Sequence, residues 1–65
     1  MHATFPQPIR LGEATTRWRE SDLLAWEGLT EIPPEAFKVY LRDLEVADRY
    51  GVSRATIWRW SRKSA

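Results

Sequence analysis

Apolar positions follow different rhythms along this chain. Between residues 9 and 19 they alternate with polar ones: Ile9-Arg10-Leu11, then Thr16-Arg17-Trp18-Arg19, separated by Gly12-Glu13-Ala14-Thr15. Period-two alternation marks a half-buried strand. The stretch therefore predicts a β-hairpin with Ile9, Leu11, Thr16 and Trp18 facing in and Arg10, Arg17 and Arg19 facing out. A lone hairpin is marginal in water, so it must pack on helices. Ahead of it, Phe5-Pro6-Gln7-Pro8 reads as an extended lead-in, because each proline lacks an amide donor and biases its predecessor away from the helix. Met1–Thr4 reads as a flexible start.

Helical spacing follows. Ser21 predicts an N-cap for a helix running to about Glu27, with Leu23, Leu24 and Trp26 on its buried stripe and Gly28 as its stop. Leu29–Pro33 is linker-like. Pro34 suits a first helical position, predicting a helix over Glu35–Tyr40 with Phe37, Tyr40 and Leu41 inward. Asp43 then predicts a cap for a helix over Leu44–Tyr50, with Leu44, Val46, Ala47 and Tyr50 near one face. A further helix spans about Arg54–Arg62, with Ser53 as its cap and Ile57 and Trp60 inward. Ala47, Gly51, Val52 and Ile57 stand at offsets that fit a helix-turn-helix, which needs a small residue facing the partner helix, a turn residue tolerant of positive φ, and buried aliphatics. The plainer alternative is a helical hairpin whose turn contains a glycine. The expected class is mainly α with a small β-hairpin, in one domain: hairpin and following helix over 5–27, linker and helix over 28–42, helix-turn-helix over 43–63.

Composition narrows this. The chain has 65 residues and no cysteine, so no disulfide or cysteine-ligated zinc can staple it. His2 alone cannot build a metal site. Four tryptophans must carry much of the core. No apolar run approaches the ~20 residues of a membrane span and no signal-peptide pattern opens the chain, so a soluble, cytoplasmic protein is expected. There is no glycine-rich phosphate loop, no Ser/His/Asp set and no Cys/His pair, and the acids are scattered. The expectation is a non-enzyme without cofactor or metal.

Charge is segregated although the net value is only +1. Residues 1–19 hold three arginines against Glu13, residues 20–48 hold eight acids against Lys38 and Arg42, and residues 49–65 hold five cations and no acid. If the ends meet in space, one basic face with an acidic back results. A recognition helix needs cations near phosphates and short polar side chains near base edges. Ser53, Arg54, Thr56 and Trp58 or Arg59 are the candidate major-groove residues. Arg59, Arg62, Lys63, Arg10 and Arg17 are candidate backbone anchors. Arg54 can reach guanine O6 and N7 together, or hold only a phosphate. Trp58 can touch DNA or pack beneath the hairpin. The acidic stretch with Glu27, Glu31 and Glu35 is either a solvated face or a dock for a basic protein.

Two blocks carry a family resemblance. Tyr40-Leu41-Arg42 with Glu45–Trp60 (EVADRYGVSRATIWRW) resembles the helix-turn-helix of AlpA-type regulators and phage excisionases. Phe5–Gly12 (FPQPIRLG), Arg17-Trp18-Arg19 and Ser21–Trp26 resemble the wing and final helix of the same family. Together they cover about two-thirds of the chain. Their order is inverted, for the family's wing follows its helix-turn-helix. The resemblance thus implies a circularly permuted winged helix-turn-helix of the MerR/excisionase-like kind. The break falls between recognition helix and wing, and residues 28–39 bridge the former ends, a span of up to ~40 Å when extended. A domain swap, repeated head to tail, is the other route to this order.

The implied function is double-stranded DNA binding as an excisionase, a recombination directionality factor that bends DNA and steers an integrase toward excision of a mobile element. An AlpA-like transcriptional regulator, or a recombinase-docking module, is the alternative. The setting implied is the nucleoid of a bacterium or phage host. The family's wing turn often carries an arginine. Here it holds Glu13 and Ala14, leaving Arg10, Thr15 and Arg17 as the wing's phosphate contacts.

Overall fold

The computed structural model describes residues 4–63, the side chain of Lys63 excepted. The start expected to be flexible lies outside the described residues for positions 1–3, as does His2. In chain order the elements are β1 (Ile9–Arg10), β2 (Thr16–Arg19), α1 (Glu20–Trp26), a 3-10 helix (Pro34–Lys38), β3 (Tyr40–Leu41), α2 (Asp43–Tyr50) and α3 (Arg54–Lys63). The strands form one antiparallel sheet in the order β1-β2-β3. The class is mixed: three α-helices on a three-stranded sheet rather than helices with a lone hairpin.

The third strand comes from the segment read as linker and helix. Pro34 does open a helix, but it is a 3-10 helix ending at Lys38. Val39 is then extended, and its carbonyl accepts the Glu20 amide at 2.9 Å. Tyr40 and Leu41 pair with Arg19 and Trp18. A β-branched, aromatic and aliphatic run gains more as a strand on β2 than as another helical turn. The expected inward set changes accordingly. Ala36 is buried, whereas Phe37 is 51% and Tyr40 39% exposed. A three-residue turn followed by a strand does not bring 37, 40 and 41 to one face as an α-helix would.

In the hairpin, Ile9 pairs with Arg17 and Arg10 with Thr16. Directly paired residues share a face, so Ile9 stands with Arg17 and opposite Trp18. Trp18 is fully buried as expected, Ile9 only half-buried, and Leu11, expected inside, is exposed at the hairpin's end. The tip is closed by the Leu11 amide on the Thr15 carbonyl at 2.8 Å.

α1 begins one residue before its expected cap. Arg19 holds the N-cap position, and Ser21 lies within the helix, buried, its Oγ without a hydrogen-bond partner. Both glycine stops hold. Gly28 (φ 105°) and Gly51 (φ 67°) occupy the left-handed region. Gly28 donates to Ala25 and Leu29 to Leu24, while Gly51 donates to Asp48 and Val52 to Ala47, so each helix closes with the same pair of bonds to its last free carbonyls. At the start of α2, Arg42 rather than Asp43 is the N-cap, and its amide donates to the Glu45 carboxylate at 2.8 Å. Val46 and Ala47 are buried but Leu44 is 52% exposed, against expectation. Ser53 caps α3, its Oγ accepting the Thr56 amide at 3.2 Å.

The buried core is Phe5, Trp18, Leu23, Val46, Ala47 and Ile57, with Trp26, Leu41, Tyr50, Val52, Trp58 and Trp60 packed around it. Phe5, read from sequence only as part of an extended lead-in, is a hub: its ring lies edge-on to Trp26 (5.0 Å), Trp60 (5.4 Å) and Tyr50 (6.2 Å). Such pairs contribute about 0.5–1.5 kcal/mol each beyond their buried area. Pro6 is tied in through its carbonyl, which accepts the Trp18 indole N–H at 3.2 Å. The segment from Phe5 thus joins the end of α3 to the sheet.

Candidate nucleic-acid interface

α2, the Gly51 turn and α3 form the frame. Gly51 reverses the chain, Val52 packs on the core, and Ile57 and Ser61 turn the inner edge of α3 inward. The Ser61 hydroxyl donates to the Ile57 carbonyl at 2.9 Å, so this buried polar group is satisfied within the helix. The side of α3 away from that edge carries Arg59 and Arg62, both exposed, while Arg54, three residues before Ile57 and on the same stripe, is exposed at the start of the helix. Lys63 closes the helix, with its side chain outside what is described.

The other expected contact residues are already engaged to different degrees. Ser53 is exposed, but its hydroxyl serves the cap and lies 3.0 Å from Thr56 Oγ1. Thr56 is half-buried. Trp58 packs beneath the hairpin: its ring meets Trp18 edge-on at 4.9 Å, and its indole N–H donates to Asp43 Oδ2 at 3.0 Å. On the hairpin, exposed Arg10 donates to the Glu13 carbonyl at 3.2 Å, half-buried Arg17 donates to the Thr16 carbonyl at 2.9 Å, and Thr15 closes the tip through its backbone. Arg10 thereby braces the loop, while the bond of Arg17 stays within β2.

Between hairpin and helices lies an open cleft of about 240 Å³, lined by Ala14, Thr16, Arg17, Arg42, Asp43 and Trp58. Sequence reading missed Arg42 and Asp43 here, having assigned Asp43 only to capping. The available signal was that a tryptophan on an amphipathic helix needs an acceptor for its N–H, but eight acids in residues 20–48 left the choice open. The Trp58 hydrogen bond holds the Asp43 carboxyl below its ordinary range. Partial burial opposes this, while the Leu44 amide and the charges of Arg54 and Arg17 assist.

Arg49 leaves the basic set. Its guanidinium pairs with Glu27 Oε2 at 2.9 Å and Glu20 Oε1 at 3.3 Å, clamping α2 to α1. The Tyr50 hydroxyl donates to the same Glu27 oxygen. Burial raises the Glu27 pKa, but the bonds from Arg49 and Tyr50 outweigh it and leave the carboxyl below its ordinary value. Burial, with that bond, pushes the Tyr50 hydroxyl well up. Glu27 is therefore spent internally. Of the acids considered for docking a basic protein, Glu31 and Glu35 remain exposed without such a role.

No three His, Cys, Asp or Glu side chains gather to hold a metal among the described residues, and no helix there is long and apolar enough to cross a membrane. Comparison with family models, with curated proteins and with solved structures finds no match for this chain.

Proposed function

We propose that the chain binds double-stranded DNA as a winged helix-turn-helix in circularly permuted order, α2 and α3 forming the helix-turn-helix and β1–β2 the wing. The observation that carries this reading is α3 itself, with Arg54 exposed at its start, Arg59 and Arg62 exposed on its outer face, no acid, and an inner edge buried at Ile57 and Ser61. Its N-terminal half, with Ser53, Arg54 and Thr56, enters the major groove. Arg59, Arg62 and Lys63, with Arg10, Thr15 and Arg17 on the wing, hold phosphates. Phosphate contacts set the register and base contacts choose the sequence. Trp58 acts from beneath, joining α3 to the wing rather than reaching for a base.

Support for the permuted order comes from Phe5, whose ring lies 5.4 Å from that of Trp60. The start of the wing segment and the end of α3 are neighbours, as they would be were they joined directly. The intramolecular form is favoured over a swap because residues 28–39 are long enough to bridge the former ends.

The biological role that fits best is that of an excisionase acting at the bacterial or phage nucleoid. So small a module covers little DNA, so several copies side by side, self-associated head to tail, would be needed to shape a recombination site for an integrase. Fluorescence anisotropy against random-sequence and mobile-element duplexes, across a salt series, tests the binding. Affinity should fall steeply with salt. Arg54→Ala should cost about 1–3 kcal/mol on the preferred sequence and much less elsewhere if Arg54 reads guanine. A uniform loss makes it a phosphate anchor, and no binding even at low salt ends the proposal. Circular-permutation gel shift then separates roles: bent DNA supports the excisionase, and an unbent complex at a single operator favours a transcriptional regulator.

A further inference from the structure

One acid sits among the cations of the interface. Asp43 opens α2 beside Arg17 and Arg42 in the cleft between hairpin and helices, and the positive charges of Arg54 and Arg17 both act on its carboxylate. Arg42 is answered separately, by Glu45, which accepts its amide at 2.8 Å and lies 3.8 Å from its Nε. Each Asp43 oxygen has its own donor: the Leu44 amide at 2.7 Å on Oδ1 and the Trp58 indole at 3.0 Å on Oδ2. A carboxylate serving only the helix start would need the first of these. The second couples it to α3 and, through the Trp58–Trp18 ring contact at 4.9 Å, to the hairpin.

A carboxylate held in this place acts on DNA in two ways. It competes with phosphate for Arg17, which lines the same cleft, and it repels any phosphate that comes near. Both effects weaken binding to every sequence alike. Base contacts are gained only on the right sequence, and a penalty common to all sequences lowers overall affinity while leaving the ratio between sequences unchanged, because specificity is a difference of affinities. We infer that Asp43 is a positioning residue of the DNA interface that also damps its affinity: it holds Trp58 beneath the hairpin and, from the cleft it shares with Arg17, weakens phosphate binding on every sequence. This rests on the DNA-binding reading proposed above.

The test compares wild type, Asp43→Asn and Asp43→Glu by fluorescence anisotropy on two duplexes. One has random sequence; the other is the tightest binder that wild type recovers from a random pool. Asparagine keeps an acceptor for the indole and removes the charge. D43N should bind the random duplex about three- to tenfold more tightly, as expected from deleting one screened charge near phosphates. Its salt dependence should steepen by about one unit as an arginine is released to phosphate. Its preference for the selected duplex should stay within about twofold of wild type, because the penalty removed is common to both duplexes. D43E keeps the charge and should stay within about twofold of wild type on the random duplex. A role in packing alone would instead weaken D43N on both duplexes and leave the salt slope unchanged, and that result overturns the inference. So does wild-type behaviour of D43N. If D43N is unfolded by circular dichroism, Asp43→Ser, which retains a hydroxyl acceptor at the helix start, takes its place with the same expectation. Wild type that binds neither duplex removes the DNA-binding reading itself, a failure distinct from unchanged D43N on a wild type that binds.

Discussion

At the scale of single residues, the Asp43–Trp58 hydrogen bond is where sequence left two readings and packing chose one. A tryptophan flanked by arginines fits a nucleic-acid contact as well as a core position. Its edge-on contact with Trp18 and its bond to Asp43 commit it to packing. This has a pH signature. Asp43 has a folded-state pKa lowered from an ordinary 3.8, first through the Trp58 bond. Such a carboxyl contributes stability that is complete above its unfolded pKa and lost as pH falls through the folded one. Glu27, bonded by Arg49 and Tyr50, shifts the same way. The melting temperature should therefore drop as pH is lowered below about 4. Trp58→Phe should be less stable at neutral pH and show a shallower acid limb, because its Asp43 carboxyl has lost the main cause of its shift. A parallel acid limb in W58F would mean that the bond does not form in solution.

Among the elements, the glycine turns were the most legible part of the chain and the 28–42 segment the least. Gly51 marked the end of α2 because a chain that must reverse between two buried helices needs a left-handed residue, and glycine adopts that at no steric cost. An added Cβ at Gly51 would meet nothing within 4 Å, so the cost of a substitution there is conformational alone. Gly51→Ala should destabilise by about 1–2 kcal/mol. In a domain of this size each such kcal/mol lowers the melting temperature by about 4–8 °C. Gly51→Asn should lose less, since asparagine tolerates the left-handed region better, and thermal unfolding of the two variants checks the order. The 28–42 segment misled because periodicity cannot see a partner. Tyr40 and Leu41 become a strand only because β2 offers an unpaired edge at Trp18 and Arg19. Ser21 failed as a cap for a related reason: the helix runs directly out of β2, leaving Arg19 at the cap position and Ser21 inside.

For the whole molecule, the arrangement to test is the proximity of the Phe5 segment to the end of α3. A chain joined from Ala65 to Met1 by a short Gly/Ser bridge and reopened between Thr30 and Glu31 should keep its helical circular dichroism and unfold cooperatively. Phe5 and Trp60 already touch, and both Thr30 and Glu31 are exposed. An unfolded permutant would mean that the 28–42 segment must stay continuous. The native chain should elute as a 7.6 kDa monomer in the absence of DNA. A concentration-independent dimer would point to the swapped assembly.

What the amino-acid sequence determined by itself is whatever depends on near neighbours. That includes the existence of the β1–β2 hairpin, the stops at Gly28 and Gly51, the Ser53 cap, the burial of Trp18, Leu23, Val46, Ala47 and Ile57, and the cation-only composition of α3. Each follows from a local period or a backbone preference readable within a few residues, whereas the face that Ile9 and Leu11 take was set by the pairing register. The tertiary structure decided what depends on distant partners. It made Phe5 a hub, turned Tyr40–Leu41 into a third strand, withdrew Arg49 and Glu27 into a clamp, and set Asp43 beneath Trp58 among the arginines. These choices turn on edges, rings and charges many residues apart in the chain, and no local pattern specifies which of several equivalent partners is the one within reach.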